Sequence, residues 1–128
     1  MSTLIAVATG GACGAILRFT VSGAAYNWLG VEFPYGTLLV NVIGCFLIGF
    51  LSRYFEDIVI SPDARALILT GGLGAFTTFS TYGLESVNLL RDGELRLALL
   101  NIAANNIVGI LFVLIGFFLA QYLLLRAR

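Results

Sequence analysis

The sequence contains no histidine and no lysine, and it has only two cysteines. Without imidazoles, and with few carboxylates inside its apolar runs, the chain has almost no material for a proton relay. Ser80 has no visible base nearby in the sequence pattern, so a hydrolase is not expected either. Cys13 and Cys45 each lie in an apolar run, where thiols usually behave as small buried hydrophobes, so we expect no disulfide and no metal site at the cysteines.

Charge is scarce and balanced. Seven arginines offset seven acidic residues, and only 11% of the chain is charged, so there is no basic field for nucleic acid and no nucleic-acid partner is expected. Apolar residues make up 59% of the chain, and the mean hydropathy is +0.99. These values predict an all-α polytopic membrane protein, in the lipid bilayer, with a single domain over residues 1–128.

Four weakly charged windows set the predicted topology, because about 20 apolar residues cross a hydrocarbon core of about 30 Å. Arg18 is the only charged residue before Glu32, and the windows 33–52, 66–84 and 97–125 have none. The chain is therefore predicted to form four transmembrane helices, over about 3–29, 33–54, 63–90 and 95–125.

The arginines leave the orientation open. An even number of crossings puts both termini on one side, and the terminal side has a small excess of positive charge: four arginines (Arg53, Arg65, Arg126, Arg128) against two (Arg91, Arg96). Either this excess fixes one orientation, or the chain inserts both ways and two copies pair antiparallel. Since four helices pack their centre solid with side chains, any transport role requires an oligomer.

The third window contains the segment least suited to a plain transmembrane helix, the run 71–85, GGLGAFTTFSTYGLE. Its glycines and hydroxyl side chains favour a break near the middle of the third helix, which exposes carbonyls at one half-helix end and amide donors at the next. Such carbonyls suit a hard cation such as Na⁺, and such donors suit an anion. The alternative is a kinked but continuous helix with satisfied hydroxyls.

The remaining intramembrane polar residues are mostly amides and hydroxyls. On opposed helices these groups replace water around a small anion without trapping it, and aromatic ring edges add positive potential. Taken singly, Asn41, Asn101 and Asn105 are better explained as hydrogen-bonding contacts between helices.

Three motifs lie on three different predicted helices and read Gly10-Gly11-x-x-Gly14-x-x-x-Arg18, Pro34-x-Gly36-Thr37-Leu38-x-x-Asn41-x-x-Gly44 and Gly74-x-x-Thr77-Thr78-Phe79-Ser80-Thr81-Tyr82-x-x-Glu85. Together, in this order, they resemble the Fluc (CrcB) fluoride channel family. The resemblance runs over nearly the whole chain. It implies a dual-topology antiparallel homodimer in the cell membrane, the bacterial inner membrane, with two narrow pores that passively export fluoride.

The resemblance also implies roles for individual residues. A structural Na⁺ at the dimer centre is held by the backbone carbonyls of Gly74 and Thr77, and Arg18 is structural or lies in a vestibule. The residues implied for the fluoride path are Asn41, Phe79, Tyr82, Ser80, Thr81, Thr37, Glu85 and Asn105.

Two positions depart from the family pattern. Tyr82 stands where the family has a second phenylalanine, and its added hydroxyl either donates to fluoride or crowds it. Along helix four, Asn106 adds a second amide, and apolar residues follow Asn105 where relatives tend to have hydroxyls.

Three other functions are left open. The first alternative is one subunit of a heteromeric fluoride channel with reduced pore activity. The second is a small multidrug-type transporter, and the third is a scaffold subunit that transports nothing. The transporter requires a carboxylate in the middle of helix one, where this chain has Cys13, Gly14 and Arg18. A scaffold explains the glycines but leaves the hydroxyl and aromatic cluster of helix three unexplained.

Overall fold

The computed structural model describes residues 2–127, and within that range the chain is helical apart from short connections, with no strand. The helices are α1 (Thr3–Leu29), α2 (Tyr35–Asp57), α3 (62–76), α4 (Phe79–Arg91) and α5 (Leu95–Arg126). Only two residues, Thr77 and Thr78, lie between α3 and α4. We therefore count α3 and α4 as the two segments of one helical stretch, interrupted at Thr77 and Thr78. The predicted all-α fold of four helical stretches is confirmed.

Three of the helices are long and apolar enough to cross a membrane: α1, α2 and α5, with mean hydropathies of 1.7, 1.8 and 2.5. By contrast, α4 has 13 residues and is about 20 Å long, so it falls short of the hydrocarbon thickness without α3. Large apolar side chains face outwards, as Phe19 (82% exposed) and Trp28 (90% exposed) illustrate. Such a surface suits contact with lipid or with another chain.

The ends of the helices follow ordinary capping chemistry. Gly30 ends α1 with a φ of 87°, in the left-handed region, and its N–H donates to the Tyr26 carbonyl at 3.0 Å. Ser61 begins α3, because its hydroxyl accepts a hydrogen bond from the Ala64 N–H at 3.2 Å and Pro62 occupies the first helical position. The connections are therefore short and specified by the local sequence.

Glycines let the helices approach until backbones touch. A Cβ atom at Gly10 would overlap the Leu67 carbonyl, which brings α1 directly onto α3. A Cβ atom at Gly49 would overlap the Val113 carbonyl, which does the same for α2 and α5. These small residues are therefore used for packing within the chain.

Two local departures from α-helical geometry position the polar residues. Thr77 (φ −84°, ψ 160°) and Thr78 (φ −150°, ψ 115°) are extended between α3 and α4. The segments Ala66–Leu73 and Ala104–Val108 have the wider π-helical turn, in which each N–H bonds five residues back. The second of these segments contains Asn105 and Asn106.

Candidate functional site

The extended residues between α3 and α4 release backbone groups from helical bonding. In a continuous helix the N–H of Thr78 would bond the carbonyl of Gly74, and that of Thr81 would bond the carbonyl of Thr77. Instead, Thr78 donates to Oδ1 of Asn41 at 2.8 Å, and Thr81 donates to the Thr78 hydroxyl at 3.3 Å. The Gly74 and Thr77 carbonyls are thereby free of those helical partners.

Asn41 of α2 satisfies the interrupted backbone. Its Nδ2 donates to the Thr78 carbonyl at 3.2 Å while its Oδ1 accepts the Thr78 N–H, so one amide bonds both polar groups of that residue. Because a backbone N–H can only donate, the side-chain orientation of Asn41 is fixed. The second Nδ2 hydrogen donates to Oδ1 of Asn105 at 2.8 Å, which brings together two residues predicted to line the path.

A chain of hydrogen bonds continues from Asn105 along α5. Its Nδ2 donates to the carbonyl (3.1 Å) and to Oδ1 (2.9 Å) of Asn101, a fully buried residue. Asn101 donates to the Ser86 hydroxyl at 2.9 Å, and Ser86 donates to the Tyr82 carbonyl at 2.8 Å. In this series of hydrogen bonds each residue accepts from the one before it, starting at Asn41, and donates to the next. The amide orientation fixed at Asn41 therefore sets the orientation of the amides of Asn105 and Asn101.

A second cluster surrounds Glu85. Its Oε1 accepts hydrogen bonds from the Tyr26 hydroxyl at 2.9 Å and from the Thr37 hydroxyl at 2.8 Å. Its Oε2 is buried and has no hydrogen-bond partner within residues 2–127. Thr37 and Glu85 are thus brought together as two of the predicted path residues. Sequence reasoning missed Tyr26, because its contact with Glu85 joins residues 59 positions apart and leaves no local signal.

The predicted aromatic positions lie side by side. The rings of Phe79 and Tyr82 have centroids 5.2 Å apart at an interplanar angle of 70°, an edge-to-face arrangement. Tyr82 is 8% exposed, whereas Phe79 is 80% exposed on the outside of the single chain. Asn106 donates from Nδ2 to the Tyr82 hydroxyl at 2.9 Å, so the tyrosine has a partner that a phenylalanine would lack.

Hydroxyls and one arginine surround the extended residues. The Thr78 hydroxyl donates to the Thr81 hydroxyl at 3.0 Å and lies 3.4 Å from that of Ser80. Arg18 of α1 donates from Nη1 to the Thr77 carbonyl at 3.3 Å, so a cationic group already contacts this released oxygen.

Two cavities meet at Thr78. One, of about 410 Å³, is lined by Asn41, Phe79, Tyr82, Asn105 and Asn106 among others, and the other, of about 370 Å³, by Arg18, Tyr26, Thr37, Thr81 and Glu85 among others. Thr78 lines both. Seven of the eight predicted path residues therefore line one cavity or the other, and Ser80 is outside both.

The donor chemistry around Gly74 and Thr77 fits a sodium ion. Carbonyl oxygens are hard ligands, those of Gly74 and Thr77 are released from their helical partners, and both residues line the first cavity. No group of three or more His, Cys, Asp or Glu residues that could hold a metal occurs in the described part of the chain.

The apolar helices and the track of mostly uncharged polar groups between them define a small polytopic membrane protein. A family model described as "CrcB-like protein, Camphor Resistance (CrcB)" matches residues 5–117. The chain belongs to this Fluc (CrcB) family, which confirms the resemblance of its motifs.

Several similar proteins carry the name "Fluoride-specific ion channel FluC". The one from Aquifex aeolicus (strain VF5) is 46% identical over 124 residues, which cover 96% of this chain and 100% of the relative. The one from Magnetococcus marinus is 48% identical over 111 residues, covering 86% and 90%. The one from Sulfurovum sp. is 47% identical over 120 residues, covering 94% of each chain. These relatives are named as ion channels, not as enzymes.

Proposed function

We propose that this chain forms a fluoride-specific ion channel that passively exports fluoride from the cytoplasm across the bacterial inner membrane. The observation that carries the proposal is the arrangement at Thr78, which lines two cavities and whose backbone is held by Asn41 in place of a helical partner. The names of the similar proteins support the choice of fluoride as the ion.

The polar groups suit a small, strongly hydrated anion. A pore that selects fluoride must replace its water with several compact donors at once, and chloride is rejected by width and gains less from those donors. Asn41 has two N–H donors, which are bonded to the Thr78 carbonyl and to Asn105 when no anion is present. An arriving anion exchanges with these internal acceptors, so the net gain is small, about 0.5–1.5 kcal/mol per bond. Weak net binding lets the ion leave again.

The path is completed by a second copy of the chain in an antiparallel, dual-topology homodimer with two narrow pores. Phe79, Ser80 and Thr81 are exposed on the single chain although they belong to the predicted path, so an adjoining chain is needed to enclose them. The weak arginine asymmetry supports insertion in both orientations.

A structural Na⁺ at the dimer centre completes the proposal. The carbonyls of Gly74 and Thr77 from both copies would hold it, because the extended residues at 77 and 78 release these oxygens from helical bonding. When bound, the ion supplies positive charge between the two interrupted helices. Arg18 bonds the same Thr77 carbonyl from the side of the second cavity, and a carbonyl oxygen has two lone pairs.

Growth in fluoride tests the export role. The chain is expressed alone in a bacterial strain that lacks its own fluoride exporter, beside an Asn41→Asp variant matched for membrane level. We expect the parent chain to restore growth in fluoride and the variant to fail. If the parent chain reaches the membrane as a folded dimer yet gives no protection, the homodimeric channel is refuted and the heteromeric alternative gains support.

A further inference from the structure

The hydrogen bonds around Asn106 determine what the Tyr82 hydroxyl does. Nδ2 of Asn106 donates to the Ile102 carbonyl at 2.8 Å and to the Tyr82 hydroxyl at 2.9 Å. A carbonyl oxygen only accepts, so the atom that faces Ile102 must be the amide nitrogen. Both N–H groups of Asn106 are therefore assigned by geometry, one to the backbone and one to Tyr82.

It follows that Tyr82 accepts from Asn106 and still carries an unused proton. An amide nitrogen has no lone pair available to accept, so the phenol oxygen must be the acceptor in this pair. Within residues 2–127, no group accepts a hydrogen bond from the Tyr82 O–H. The residue is 8% exposed, and a donor at such a position is costly to leave without an acceptor.

Tyr82 and Asn106, the two residues that this hydrogen bond joins, both line the cavity of about 410 Å³ that Asn41, Asn105 and Phe79 also line. We propose that the Tyr82 hydroxyl, oriented by Asn106, donates a hydrogen bond to the anion in this cavity and helps to select fluoride over chloride. This inference rests on the proposed fluoride channel and deepens it. It assigns Tyr82 a direct contact with the ion and Asn106 a positioning role.

The order of the hydrogen bonds favours this role. Donation from Asn106 into the phenol oxygen polarises the O–H group, which strengthens the bond that the same group donates onwards. A hydrogen bond to an anion is roughly twice as strong as one between neutral partners. Fluoride gains more than chloride from a compact O–H donor, because it is smaller. A phenylalanine at position 82 would offer only its ring edge.

The test compares Tyr82→Phe with the parent channel reconstituted in liposomes. The substitution removes one oxygen and keeps the ring, so the packing against Phe79 is preserved. We expect fluoride efflux to fall about tenfold or more and the ratio of fluoride to chloride flux to fall with it, as the loss of one hydrogen bond to an anion predicts. Tyr122→Phe, at an exposed tyrosine of α5, is the matched control and should leave both quantities unchanged.

The Asn106→Leu substitution tests whether Asn106 acts by orienting the Tyr82 hydroxyl or only by packing. In the parent background it should slow fluoride efflux, and in the Tyr82→Phe background it should cause no further loss, because the hydroxyl that it orients is already absent. Additive effects in the double variant would refute the positioning role of Asn106. Gel filtration and thermal unfolding of each variant establish that the proteins compared are folded.

The outcomes distinguish this inference from the function on which it rests. If the parent protein passes no fluoride, the proposed channel fails. If the parent passes fluoride and Tyr82→Phe passes it equally fast or faster, with unchanged selectivity, the channel stands and the Tyr82 contact is overturned.

Discussion

Replacing Asn41 by aspartate changes one atom of the residue that joins the interrupted helix to α5. The acceptor for the Thr78 N–H is kept, since a carboxylate oxygen can occupy the position of Oδ1. The other oxygen replaces Nδ2 and then faces the Thr78 carbonyl at 3.2 Å and Oδ1 of Asn105 at 2.8 Å. Asn105 cannot rotate its amide to present an N–H to the new carboxylate without losing hydrogen bonds, because its Nδ2 donates to Asn101.

The size of the effect follows from the number of donors lost. An ionised aspartate supplies neither of the two N–H donors that an anion would take over, and at a net gain of about 0.5–1.5 kcal/mol per bond the anion loses about 1–3 kcal/mol of stabilisation. At about 1.4 kcal/mol per factor of ten, fluoride flux should fall at least about fivefold. The negative charge repels fluoride in addition. A protonated aspartate still loses one donor, which sets a lower limit of about twofold.

A fluoride electrode measures this loss as the initial efflux rate from liposomes that contain equal amounts of each folded protein. Asn27→Asp, the same chemical change at an exposed position of α1, is the control and should behave like the parent. The elution volume on gel filtration should be the same for all three proteins. Efflux through Asn41→Asp within twofold of the parent rate would remove Asn41 from the path.

Three further substitutions test other parts of the site. Phe79→Ile removes the ring edge beside Tyr82 and should block most fluoride efflux, and an unchanged electrode trace would end the aromatic role. Gly44→Ala puts a methyl group onto the Thr77 side chain, which is held by its bond to the Leu73 carbonyl, so thermal unfolding should reveal a loss of about 1–3 kcal/mol. Thr37→Val removes one of the two donors to Glu85 and should lower stability by about 1.5–3 kcal/mol, and an unchanged unfolding temperature would contradict the Glu85 cluster.

The helices could be predicted because whether a segment forms a membrane-spanning helix depends mainly on the residues of that segment. A run of about 20 apolar residues must form a helix to satisfy its backbone in lipid, so weakly charged windows are enough to predict four helical stretches. It could likewise be predicted that Asn101 and Asn105 lie on the same face of a helix, since they are four residues apart.

The contacts between helices could not be predicted in the same way. Tyr26 bonds Glu85 across 59 positions, and that contact depends on how α1 and α4 are rotated about their axes. The glycine pattern predicts close packing but does not say against which helix, and Gly10 packs on α3 of the same chain. The π-helical turn at 104–108 also changes the register after Asn105, which a regular helical pattern does not anticipate. The path roles of individual residues remain predictions.

The central claim is selective conduction of fluoride, and one measurement tests it most directly. Purified protein is reconstituted into liposomes loaded with equal fluoride and chloride, efflux is started with a potassium ionophore, and ion-selective electrodes follow both anions. The account predicts rapid fluoride efflux with chloride retained at the rate of protein-free liposomes. No fluoride efflux above that background, or release of both ions at similar rates, would contradict it.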